Sequence, residues 1–178
     1  MNCWKTINLT REFGINRIYL ISSILGLLSF VFLYLPFSII HQSAELKDHG
    51  LLPLLVGLIL LPMIHKLMHI LPLILAHKSI KLKCQMSKGI FPILTILKKT
   101  KMSKKTSIFT LLGPTLFITV PGLISSYLFV EYYAYFILFI SVNIGLSFTD
   151  FIYIGKLCKA PKKCVIENAK DGYDILVK

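Results

Sequence analysis

Two histidines four residues apart stand in an apolar stretch of this chain, in the order His65-Lys66-Leu67-Met68-His69. On a helix, positions i and i+4 share one face, about 6 Å apart along the axis, so both imidazoles can reach one metal ion. This is the spacing of the H-E-x-x-H zinc motif, in which the intervening glutamate works as general base. Here the glutamate position holds Lys66. A protonated ammonium has no lone pair with which to accept a proton. The spacing thus predicts metal ligation, and the lysine predicts altered or absent hydrolysis. Set about 5 Å from a zinc ion, Lys66 would be repelled by roughly 6–7 kcal/mol at an effective dielectric of about 20.

The elements that must position these groups are apolar. The 178 residues are 55% hydrophobic and 16% charged, with a mean hydropathy of +0.73. Soluble domains carry about 25% charged residues, so the composition points to a membrane protein. Four stretches, 18–40, 51–76, 108–130 and 132–155, reach the roughly 20 residues that a helical bilayer span requires. The predicted fold class is mainly α and integral to the membrane, with four transmembrane helices in a single polytopic domain over 1–178. Pro36, Pro53, Pro62, Pro72, Pro114 and Pro121 punctuate the first three spans, where proline is commoner than in soluble helices.

Lysine and arginine outnumber aspartate and glutamate by 20 to 8, a formal charge of +12. The location of that charge excludes a nucleic-acid reading, since no basic motif interleaved with aromatics is present. Eighteen of the twenty cations fall in the N-terminal segment, the loop 78–107 and the tail 156–178. Lys47 alone lies in the opposite loops, and Lys66 lies within a span. The bias places both termini in the cytoplasm of a multi-pass protein of the cell membrane, with anionic lipid headgroups as the partner of the basic side. Cys3, Cys84, Cys158 and Cys164 all fall on that reducing side, where unpaired thiols are expected. The first apolar run is longer than a signal-peptide core and no small-x-small site follows it, so no cleaved leader is expected.

Loop 78–107 carries a strand signal. Ile80, Leu82, Cys84 and Met86 alternate with polar residues, a period of two. Ser87-Lys88-Gly89 reads as a turn and Ile90–Leu97 as the return strand, held to an edge by Pro92. The lysine-rich run Lys98–Lys105 is expected to be exposed. In the tail, Cys164–Glu167 and Tyr173–Val177 flank Asn168–Gly172, whose Asp-Gly suits a tight turn. The helices should therefore carry a small cytoplasmic β-hairpin and a short β-hairpin tail.

Ionisable groups inside spans are costly and mark function by default. Here they are His65, Lys66, His69 and Asp150. Leu51 to His65 covers about 21 Å of helix and Tyr133 to Asp150 about 26 Å, so the two sites lie within about one turn in depth. Lys66 and Asp150 are of opposite sign at similar depth, and a buried charge needs a partner, so they are expected to form an ion pair.

With His65 and His69 on an early span and Asp150 closing Asn143-Ile-Gly-Leu-Ser-Phe-Thr-Asp150 on a late one, the chain resembles the bacterial membrane proteins called putative zincin peptidases. These are distant relatives of the site-2 intramembrane metalloproteases. The resemblance implies that His65, His69 and Asp150 are the metal ligands and zinc the cofactor. Leu112-Gly113-Pro114 resembles the proline-marked entry to the following span, and Lys162–Val177 has the look of the family's tail. Lys66 departs from the family's glutamate. The expected function is a non-catalytic membrane protein on a zincin-like scaffold, holding zinc or no cofactor, with a partner or substrate helix in the groove. The alternatives are an active intramembrane zinc metalloprotease with a rearranged site, and a small transporter or ion-binding protein. Reporter fusions after Gly50 and after Lys105 should read out on opposite sides of the membrane; the same side for both would break the topology.

Overall fold

A computed structural model describes residues 2–42, 46–47, 50–75, 82–85, 93–96, 101–162, 164–169 and 172–177. The fold is mainly helical, with a small antiparallel sheet at one end. Strand β1 (Asn2–Ile7) leads through the short helix α1 (Leu9–Phe13) into α2 (Ile15–Ile40), and α3 covers Leu51–Leu75. Strands β2 (Leu82–Gln85) and β3 (Ile93–Ile96) pair as a hairpin, with Leu82 opposite Ile96. The expected turn at Ser87–Gly89, Pro92, and Lys98 and Lys99 lie outside the described residues.

After β4 (Lys101–Ser103) the chain enters α4 (Lys104–Pro114) and passes through a π-helical turn, Thr115–Thr119, into α5 (Val120–Leu128). Pro114 and Pro121 each lack the N–H that regular helical pairing needs, and the turn between them widens. A 3₁₀ turn, Val130–Tyr132, then leads into α6 (Tyr133–Leu146), α7 (Phe148–Cys158), β5 (Cys164–Ala169) and β6 (Gly172–Val177).

Among the described residues, three helices are long and apolar enough to cross a membrane: Ile15–Ile40, Leu51–Ile74 and Lys104–Leu128. The segment expected as a continuous fourth span is bent by 45° between Leu146 and Phe148, and only the bent pair together reaches spanning length. No proline stands there. The break is at Ser147, whose hydroxyl donates to the Asn143 carbonyl at 2.9 Å, a back-bond that bends helices. The outer surfaces fit a multi-pass membrane protein. Along α2 only Ile18 is buried, while Leu27, Phe32, Leu35 and Ile39 are among many exposed apolar residues. A helix apolar all round needs an apolar surrounding.

The expected β-hairpin tail is present but is not alone. β5 and β6 form the centre of a four-stranded antiparallel sheet in the order β1-β6-β5-β4. Both chain ends and the strand before α4 thus meet at one end of the helices. Lys101–Ser103, expected as part of an exposed lysine run, pairs with Val165–Glu167 and buries Met102. The sheet's inward Ile7, Ile166 and Ile175 pack with Leu9, Ile18, Leu111 and Leu157 from the helices. Two contacts fasten α7 there. Lys104 Nζ donates to the Cys158 and Ala160 carbonyls at 2.9 and 2.7 Å, and Lys156 pairs with Glu12.

Two glycines set how closely the helices approach. A Cβ on Gly145 would lie 2.7 Å from the Ser22 carbonyl oxygen and 3.3 Å from Gly26 Cα, so α6 meets α2 backbone to backbone. A Cβ on Gly113 would overlap the Met68 carbonyl, so α4 meets α3 in the same way. Small residues allow such contact where packing rather than hydrophobicity drives helix association. Gly145→Val should therefore lower stability by about 1–3 kcal/mol through overpacking, read from thermal unfolding in detergent; an unchanged midpoint would show that α2 and α6 can part freely.

Candidate metal centre

His65 and His69 lie one turn apart on α3, with ring centroids 5.1 Å apart and planes crossed at 83°. Asp150 enters from α7, three residues beyond the Ser147 bend. Its Oδ2 stands 3.3 Å from His65 Nε2 and 3.5 Å from His69 Nε2. One ligand atom from each of the three residues lies within 4.8 Å of the others. His65 and Asp150 are buried at 7% and 8% exposure. The His65, His69 and Asp150 anticipated from the sequence are thus brought together.

The hydrogen bonds around them fix which nitrogen faces inward. His69 Nδ1 lies 2.9 Å from the Thr110 carbonyl oxygen, which can only accept, so Nδ1 carries the proton. That carbonyl is available for a local reason. Its regular helical donor would be the N–H of residue 114, and Pro114 has none. His65 Nδ1 lies 2.8 Å from Asn143 Oδ1. The Asn143 orientation is set by its amide nitrogen, which donates to the Pro114 carbonyl at 3.3 Å and to Thr119 Oγ1 at 3.0 Å. Oδ1 is therefore an acceptor and His65 Nδ1 the donor.

In the neutral imidazoles both Nε2 atoms are then lone-pair acceptors, and they face a carboxylate oxygen. Asp150 Oδ2 is buried and makes no hydrogen bond among the described residues. Three acceptors converging without a proton between them repel one another; a proton on one Nε2 or a bound cation resolves the conflict. The donor set fits zinc: two imidazole nitrogens and one carboxylate oxygen, each histidine held by an outer partner. Bonds of about 2.0–2.1 Å in a tetrahedron put ligands about 3.3 Å apart, close to the two N–O separations here.

Lys66 is not part of this cluster. The expected Lys66–Asp150 ion pair is absent. Lys66 is exposed, and Asp150 Oδ2 faces the histidines instead. One residue along a helix is a rotation of about 100°, so the face that brings His65 and His69 inward carries Lys66 away.

Thr110, Thr119 and Ser147 were not singled out from the sequence, and Asn143 entered only as part of the run ending at Asp150. A signal for Asn143 was available. It stands two turns before Asp150 on one helical face, and a buried amide within a span has to be hydrogen-bonded. The sheet also reaches the site. Tyr173 of β6 packs edge-on against Tyr153 of α7 at 4.9 Å. Burial pushes the Tyr173 phenol up, and the charges of Asp150 and Tyr153 push it the same way.

Asn143→Ala should leave the buried His65 N–H without its acceptor and cost about 1–3 kcal/mol of stability in metal-free protein. Thermal unfolding in chelator checks this; an unchanged midpoint would mean that His65 finds another acceptor or reverses its ring.

No curated protein and no solved structure matches the chain. A family model described as putative zincin peptidase matches residues 58–165. That interval is more than half of the chain and contains His65, His69, Thr110, Pro114, Asn143 and Asp150. The chain belongs to the putative zincin peptidase family.

Proposed function

We propose that this protein is a non-hydrolytic, metal-binding member of its family, a multi-pass membrane protein that holds rather than cuts a partner or substrate helix. The observation that carries the metal half is Asp150 Oδ2, buried without a hydrogen bond among the described residues and facing the Nε2 atoms of two histidines. Zinc is the cation that fits best: His65, His69 and Asp150 would hold it, leaving a fourth position for an outside ligand. A zinc ion so bound supplies Lewis-acid polarisation of an oxygen ligand.

Hydrolysis also needs a group that accepts a proton beside that position. Lys66 cannot serve while protonated, and it is turned out of the cluster. Among the described residues no other carboxylate takes its place. Asp150 is the one acid within the spans. Glu12 and Glu131 are engaged by Lys156 and Lys47 away from the site, and Glu167 and Asp174 belong to the sheet. Among the described residues, those at the site bind and orient, and no second carboxylate stands there to accept a proton.

The charge bias supports a cytoplasmic placement of both termini, with the basic loop and tail against anionic headgroups. The opposite end is joined by Lys47 and Glu131 at 2.6 Å, an exposed pair. The carboxylate beside it holds the Lys47 ammonium above its usual range.

Elemental analysis of protein purified without a metal-binding tag, after zinc equilibration and desalting, should find about one zinc per chain. His65→Ala and Asp150→Asn should each lose it, and zinc-loaded wild type should leave a panel of transmembrane substrates intact. No retained zinc would overturn the metal reading. Cleavage that is lost in His65→Ala would overturn the non-hydrolytic one.

A further inference from the structure

Along α3, His65 and the apolar Leu61, Ile70 and Leu73 are buried, whereas Ile59, Met63, Leu67 and Ile74 are exposed. Lys66 is exposed on this helix one turn after Met63. It stands nine residues before Leu75, the last described residue of α3, which is about 13 Å of helix. Among the described residues it makes no ion pair. A cation in that position, beside the exposed apolar Met63 and Leu67, is costly against lipid alone and calls for a counter-charge.

We propose that this face docks a transmembrane helix of a different protein, one that carries an aspartate or glutamate at the depth of Lys66. A second copy of the chain does not fit. Its one acid within the spans is Asp150, which faces His65 and His69 inside the bundle. A lipid phosphate fits less well, because more than two turns of α3 separate Lys66 from Leu75, farther than a lysine stem reaches along a helix. The proposal deepens the reading of the chain as a holder of helices by naming the chemistry held, and it rests on that reading.

The test uses full-length protein, donor-labelled, in phosphatidylcholine vesicles. The probes are acceptor-labelled leucine-alanine host helices with one central glutamate, or glutamine in its place. Energy transfer should report about tenfold tighter association of the glutamate helix. Lys66→Met should erase that difference, and Lys66→Glu should transfer the preference to a host helix with a central lysine. Equal association of the two probes with wild type, or a preference that survives Lys66→Met, would overturn the docking proposal. So would loss of the preference when phosphatidylglycerol is added, which would assign Lys66 to lipid. The association is read with zinc removed, and probe length is followed separately with zinc present. A shortened probe would overturn the non-hydrolytic reading while the glutamate preference, measured without zinc, still decides the docking.

Discussion

Three lone-pair atoms that share one buried point are the constraint on which this structure turns. Left to themselves, two imidazole acceptors and a carboxylate oxygen would part. They are held in place because each ring is gripped from behind: His69 by the Thr110 carbonyl and His65 by the Asn143 amide. Those grips come from two different helices, α4 and α6. The site therefore exists only while α3, α4, α6 and α7 keep their mutual placement.

Departures from regular helix serve that placement. Pro114 withholds an N–H from Thr110, which turns a helical carbonyl into a holder for His69. Gly113, beside it, lets α4 approach α3 closely enough for the bond to form. The π turn Thr115–Thr119 ends in the threonine hydroxyl that orients Asn143, and such turns recur at functional sites. Ser147 bends the last pair of helices by 45° directly before Asp150. In an apolar surrounding, each freed backbone group has to find a partner inside the protein. Here the partners are the residues that orient the histidines.

The sheet closes the same end of the molecule. Because β1, β4 and the two tail strands form one antiparallel unit, the helices that follow or precede them are tied at their ends. Lys104, at the start of α4, caps the last carbonyls of α7. That contact joins the helix that holds His69 from behind to the helix that carries Asp150. The sheet is thus a clasp on the helices of the candidate metal site, and its Tyr173 reaches the neighbourhood of Asp150 itself.

Much of this was legible in the residues. Apolar runs of spanning length, the clustering of lysines outside those runs and the i, i+4 histidines come from composition and period, which need no tertiary knowledge. Matching depths for His65 and Asp150 followed from helical rise alone, and alternation disclosed both hairpins. Tertiary structure decided the rest. It joined Asn2–Ile7 to the tail, since strand pairing across more than 160 residues leaves no local pattern. It bent the fourth apolar segment at a serine where no proline gave warning. It also separated Lys66 from Asp150: opposite charges at equal depth satisfied the sequence argument, but depth is one coordinate, and the rotation of α3 about its axis is another. That rotation is set by which face packs against α4. With the histidines turned inward, the lysine on the next residue is carried out of the site.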